Sequence, residues 1–167
     1  MKKIIHLTVF LAIVSALAGG ILGYVNALTS PIIEEQKIAA VKSSLQAIFK
    51  GSDEFKEISF EDASGNVVNA YEAVGAGYAF NVEVQGYKDV IRFIVGIDNT
   101  GKIVGLEINY VNDTPGLGSK VAEPEFINGI VGQQVDASLD VISGSTISSN
   151  AVLKGIDSAA TVFGTLK

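Results

Sequence analysis

The chain opens on an unbroken apolar run: from Ile4 to Ile33 no Asp, Glu, Lys or Arg interrupts it. The stretch IIHLTVFLAIVSALAGGILGYVNAL is long enough to cross a hydrocarbon core as a helix, which takes roughly 20 residues. Beyond it the pattern turns amphipathic. IIEEQKIAAVKSSLQAIFK places Ile38, Val41, Leu45 and Phe49 at helical spacing and stops at Gly51. Ser30-Pro31 suit a helix start there, with Glu34 and Glu35 in the first turn, and the same helix could equally run on from the apolar segment.

Further along, the period falls to two. Tyr78 to Val84 alternates loosely, VIRFIVGI (90–97) reads as a buried strand, and KIVGLEINYV (102–111) alternates again. Asp98-Asn99-Thr100-Gly101 is turn chemistry, so the last two strands form a hairpin. NDTPGLGSK (112–120) reads as a loop, a short helix is predicted around Pro124–Gly129, and a strand near Val141. A final helix, capped by Ser149 or a neighbour, carries Val152, Ile156, Ala159 and Phe163 on one face. The predicted fold is α+β: an N-terminal transmembrane helix, then a small antiparallel sheet with helices packed on it.

Charge and composition narrow the function. With 12 Lys and Arg against 18 Asp and Glu, the 167-residue chain carries a net charge of −6 and lacks the basic stripe of a nucleic-acid binder. It has no Cys, one Met at the N-terminus, and one His, His6. Disulfides, thiolate metal sites, a conventional haem ligand pair and a histidine-rich metal site are therefore out of reach, and a His-dependent triad is implausible. Electron transfer by such a chain requires an organic cofactor.

Lys2 and Lys3 precede the apolar run, and the next basic residue is Lys37. The positive-inside rule then puts the N-terminus in the cytoplasm and the remainder outside. Ala16-Leu17-Ala18 resembles a signal-peptide cleavage site, but the run continues well past the 7–15 or so residues of a signal core, which favours a retained single-pass anchor. Ser15, Gly19, Gly23 and Ala27 recur at four-residue spacing, a face that lets another membrane helix approach closely. His6 falls near the cytoplasmic interface.

Several motifs fail their tests. GIDNTGK (96–102) matches a phosphate-binding loop, but Ile103 stands at the hydroxyl position and a strand follows where a helix is needed. DNTG hints at a calcium loop without the terminal Glu. Arg92, the only arginine, sits on a strand and reads as a surface or partner-pairing charge.

Two loops survive. DVISGSTISS (140–149) packs hydroxyl residues ahead of a helix N-terminus, whose free N–H groups and dipole favour a phosphate. The same residues also suit a helix cap with no ligand, and the pattern alone leaves both readings open. In NDTPGLG, Pro115 fixes a turn, Gly116 and Gly118 permit unusual backbone shapes, and Leu117 between them could meet a planar aromatic ligand.

DVISGSTISS resembles the flavinylation motif of the FMN-binding domain family, usually D-x-x-S/T-G-A-T-x-S/T-S/T, and NDTPGLG resembles that family's E-T-P-G-L-G loop. VNALTSPIIEEQK is similar to the segment after the membrane helix in the G-type subunit of Rnf electron-transport complexes. The C-type subunit of the sodium-pumping quinone reductase shares the two loops. The resemblance covers nearly the whole chain, with Ser145 in place of the usual Ala and Asp113 in place of the usual Glu.

The resemblance implies that Thr146 carries FMN through a phosphoester bond made by a separate flavin transferase. It implies that Ser143, Gly144, Ser145, Ser148 and Ser149 shape the phosphate site, while Thr114, Pro115, Gly116, Leu117 and Gly118 line the isoalloxazine. The expected organisation is an anchor over 1–28, a linker and packing helix over 29–50, and an extracytoplasmic FMN-binding domain over 51–167. On this reading the protein sits in the inner membrane beside other Rnf subunits and relays electrons in ferredoxin:NAD+ oxidoreduction coupled to Na+ or H+ movement. A stand-alone membrane-anchored flavoprotein and a cofactor-free anchored binding module are the competing readings.

Overall fold

The computed structural model describes residues 2–52 and 54–166; the side chains of residues 2 and 30–40 lie outside that description. Two compact units emerge, Met1–Val41 and Lys42–Lys167. The first is helical throughout its described residues. Its segment Lys3–Thr29 is long and apolar enough to cross a membrane, and none of its side chains is buried within the protein. Helix α1 (Lys2–Ile48) passes through Ser30-Pro31 without a new start, so the membrane segment and the amphipathic segment are one helix. The predicted first-turn positions Glu34 and Glu35, and the face position Ile38, have side chains outside the described residues.

The second unit is built on five antiparallel strands in sequence order: β1 (Phe55–Ile58), β2 (Val67–Ala73), β3 (Gly77–Gln85), β4 (Val90–Asp98) and β5 (Ile103–Val111). The three strands expected from the apolar pattern are β3, β4 and β5, and they pair in sequence order without crossover. β1 and β2 carry no comparable signal: β1 has only four residues, and VVNAYEA in β2 mixes polar and small positions along both faces. Along β4, Ile91, Phe93, Val95 and Ile97 alternate onto one face, where each is fully buried.

Helix α3 (Thr146–Leu166) packs on that face, against β2, β3 and β4. Its predicted apolar stripe is the buried one: Val152, Ile156 and Ala159 are fully buried and Phe163 nearly so. Gly155 lets the helix come close, because a Cβ there would stand 2.7 Å from Phe93 Cζ and 2.8 Å from Val82 Cγ1. A 3-10 turn (Gly118–Ala122) and helix α2 (Pro124–Ile130) complete this layer through Val121, Phe126 and Ile130. The opposite face is partly covered by the end of α1 and the residue after it, with Leu45 and Phe49 buried and Ile48 seated over Gly96 and Gly105.

Two expectations need correction. Val141 lies in no strand: residues 136–145 form an irregular segment, and the nearest pairing among the described residues is the isolated bridge of Lys102 with Gln134. The apolar pair Val141-Ile142 suggested a strand, but Val141 is exposed and pairs with no strand of the sheet. The last helix starts at Thr146, so Ser145, not Ser149, holds the position ahead of it; Ser149 lies within the first turn.

Candidate functional site

Three segments converge at one end of the sheet on the α3 side. They are the β3–β4 turn (86–89), the glycine loop after β5, and the start of α3. Together they border a cleft of about 520 Å³ lined by Tyr87, Thr114, Leu117, Gly118 and the run Gly144 to Ser148. That volume falls within the roughly 300–1,000 Å³ of small-molecule sites.

The floor of the cleft is the N-terminus of α3. In its first turn the N–H groups of Thr146, Ile147 and Ser148 have no carbonyl ahead of them within the helix to accept them. A preceding Ser would ordinarily cap this end, yet Ser145 Oγ makes no hydrogen bond although the residue is only 4% exposed. Its backbone serves instead, with Ser145 N donating to Ile142 O and Ser145 O accepting from Ser149 N at 2.9 Å. The result is a buried, unpartnered hydroxyl on a residue that borders the cleft, beside a helix dipole, which is a donor set that fits a phosphate. Thr146, next in sequence, is exposed and lines the same cleft. Gly144 takes φ +80°, a left-handed turn that brings the chain into the helix start.

The other site residues divide by role. Ser148 lines the cleft, but its hydroxyl donates to Asp113 Oδ2 at 2.7 Å. Ser149 is buried behind the first turn, donating to Ser145 O and accepting from Ile142 N. Ser143 borders a separate depression, with Lys120, Glu123 and Asp140. In the glycine loop, Thr114, Leu117 and Gly118 reach the cleft, whereas Pro115 and Gly116 shape the turn outside its lining. Thr114 O accepts from Leu117 N and Ser119 N, and Gly116 takes φ +74°. Gly118 is needed for closeness: a Cβ there would stand 2.5 Å from Asp113 Cβ and 2.7 Å from Ser148 Oγ.

Two residues of the site were not assigned to it from the sequence, although the resemblance marked Asp113 as standing where the family usually has Glu. Tyr87, 66% exposed, forms one wall. Asp113, only 5% exposed, ties the walls together by accepting from the N–H groups of Tyr87, Lys88 and Asp89 and from Ser148. Burial works to raise its carboxyl pKa, but these donors outweigh burial and hold it below the ordinary 3.8. It stays ionised at neutral pH. A turn aromatic between two strands was the one available hint for Tyr87.

Elsewhere, the phosphate-loop mimic at 96–102 is the β4–β5 hairpin, closed on itself by Asp98. Arg92 pairs across strands with Glu83 at 2.6 Å and lies 5.2 Å over the ring of Tyr110, outside the cleft lining.

Comparison with known proteins agrees with this geometry. Residues 86–161, which span the turn, the glycine loop and most of α3, match the FMN-binding domain. The G-type subunit of the ion-translocating oxidoreductase complex of Methanosarcina acetivorans is 30% identical over 95% of this chain and 93% of its own. The G-type subunit of the proton-translocating ferredoxin:NAD(+) oxidoreductase complex of Clostridium ljungdahlii is 24% identical, covering 95% and 90%. Its counterpart in the Na(+)-translocating complex of Acetobacterium woodii is also 24% identical, covering 99% and 94%. By the extent and identity of these matches, the chain belongs to the family of G-type subunits of ion-translocating oxidoreductase complexes and contains an FMN-binding domain.

Proposed function

We propose that this protein is a membrane-anchored electron-transfer subunit of an ion-translocating ferredoxin:NAD+ oxidoreductase complex, carrying FMN on Thr146. The observation that carries the reading is the cleft itself. An accessible threonine hydroxyl and a buried, unpartnered serine hydroxyl stand at a helix N-terminus, under a rim of exposed apolar side chains from Tyr87, Leu117 and Ile147. Such a rim suits a planar ring, and the helix end suits its phosphate.

Each group of the chain then has a task. Thr146 Oγ1 would hold the phosphoryl group as an ester. The N–H groups of the first turn and Ser145 Oγ would neutralise and bond its oxygens. Leu117 and Tyr87 would keep water from the ring faces, and Gly118 would allow the close backbone approach. FMN supplies the electron-carrying chemistry; the protein supplies position and electrostatics. A covalent link keeps the cofactor at high effective concentration in an open site facing the extracytoplasmic side. The exposure of Thr146 suits modification by a separate flavin transferase.

On this proposal residues 1–28 anchor the chain in the inner membrane, residues 29–50 link, and residues 51–167 form the extracytoplasmic domain. Neighbouring membrane subunits deliver and remove the electrons, since His6 and Met1 are the only His and Met and there is no Cys for a second redox centre. The relatives' names include both proton and Na(+) translocation.

Intact mass spectrometry after co-expression with a flavin transferase tests the site. The wild type should carry one FMN adduct and Thr146→Ala none. An adduct that survives the substitution refutes the assignment to Thr146. Recovery of the flavoprotein without companion membrane subunits from mild detergent would favour the stand-alone reading.

A further inference from the structure

We propose that Asp113 is a positioning residue for the cleft, holding Tyr87, the glycine loop and the start of α3 in register and placing one fixed negative charge behind the ring site. Only the charge half rests on the flavin reading. The geometry is specific atom by atom. Oδ1 accepts from Lys88 N at 2.7 Å and Asp89 N at 3.2 Å. Oδ2 accepts from Tyr87 N at 3.1 Å and Ser148 Oγ at 2.7 Å. Asp113 immediately precedes Thr114, so one carboxylate bonds two walls of the cleft and is covalently continuous with the third.

The surroundings are cut to admit it. A Cβ on Gly86 would stand 2.6 Å from Asp113 Oδ2, and one on Gly118 would stand 2.5 Å from Asp113 Cβ. Two glycines in two different segments therefore face the same side chain. Among the described residues no cation bonds Asp113; its four donors are neutral, so they stabilise the charge without cancelling it. A carboxylate in this setting acts on the cleft by position and by field, without meeting the ligand.

The isosteric variant separates the two oxygens. Asn offers a single acceptor, so in either orientation at least one backbone donor loses its partner. With the amide oxygen kept on Lys88 and Asp89, the Asn NH2 faces the Tyr87 N–H, donor against donor, while Ser148 Oγ can still accept from it. Asp113→Glu keeps the charge and both acceptors, and the family resemblance places Glu at this position, so the fold has room to adjust to it.

The test uses the full-length chain in detergent. In the flavin-free Thr146→Ala background, hydrogen exchange is measured at individual amides. Asp113→Asn should speed exchange about tenfold at Tyr87, or at Lys88 and Asp89 if the amide takes the other orientation, the loss expected when a buried donor gives up its acceptor, and should do so by more than it speeds exchange at the β4 core amides. In the flavinylated chain, the midpoint potential should move upward in Asp113→Asn, because removing a nearby negative charge favours the reduced cofactor. It should stay at the wild-type value in Asp113→Glu. Unaltered exchange at all three of Tyr87, Lys88 and Asp89 overturns the positioning role. An unmoved potential in Asp113→Asn, or an equal shift in Asp113→Glu, overturns the charge role. If the wild type carries no FMN, the proposed function fails while the exchange measurement still decides the positioning role.

Discussion

Asp98 and Asp113 are both aspartates that accept several backbone N–H groups, and both carboxyls are held below the ordinary 3.8 against the opposing effect of burial. Their surroundings differ. Asp98 bonds Thr100 and Lys102, no more than four residues away, and closes a hairpin on itself. Asp113 bonds residues 24 to 35 positions away, and beside it lies a helix start whose hydroxyls are not all used. The first arrangement completes a turn. The second leaves a cleft with chemistry to spare, which distinguishes a structural loop from a functional one of similar composition.

The largest effect separates the two at once. Thr146→Ala should abolish the FMN adduct, whereas Thr100→Ala at the hairpin should leave it complete by intact mass. Stability should divide next. Asp113→Ala leaves several buried donors without an acceptor and should cost about 3 kcal/mol in urea unfolding of the flavin-free chain, whereas Asp98→Ala at an exposed turn should cost about 1 kcal/mol. Equal losses would erase the distinction.

Acid unfolding tests what the two aspartates share. A carboxyl held below 3.8 in the folded state contributes stability above that pH, and the contribution disappears as pH falls through the folded-state value. Asp113→Asn and Asp98→Asn should therefore each flatten the loss of stability on acidification. Asp62 and Asp89 shift in the same direction, so the slope should shrink without vanishing. The smallest effect falls on Ser145→Ala. Deleting a buried hydroxyl that has no partner should change flavin-free stability by less than about 0.5 kcal/mol, and a larger loss would mean that the hydroxyl is already satisfied.

The two loops stood out in the sequence because their composition is local. Pro115, Gly116 and Gly144 announce turns, and a hydroxyl cluster before an apolar stripe at helical spacing announces a helix start. Tyr87 did not stand out, because nothing around Gln85-Gly86-Tyr87 marks it as facing residues some thirty positions away. The strand expected at Val141 failed for a related reason. A short apolar pair becomes a strand only where a partner strand lies alongside, and Val141 pairs with none.

The sequence by itself determined the apolar helix, the period-two strands, the β4–β5 hairpin and the order of the two loops, since each depends on propensities and hydrogen bonds spanning a few residues. Tertiary structure alone decided that Tyr87, Asp113 and Ser148 meet, that Ser148 is committed to Asp113, and that Ser145 Oγ is left buried and unpartnered beside the cleft. Those outcomes depend on the register of β4 against β3 and β5 and on how closely Gly155 lets α3 approach the sheet. Small displacements there change which donor reaches which acceptor, and no local pattern of residues encodes them.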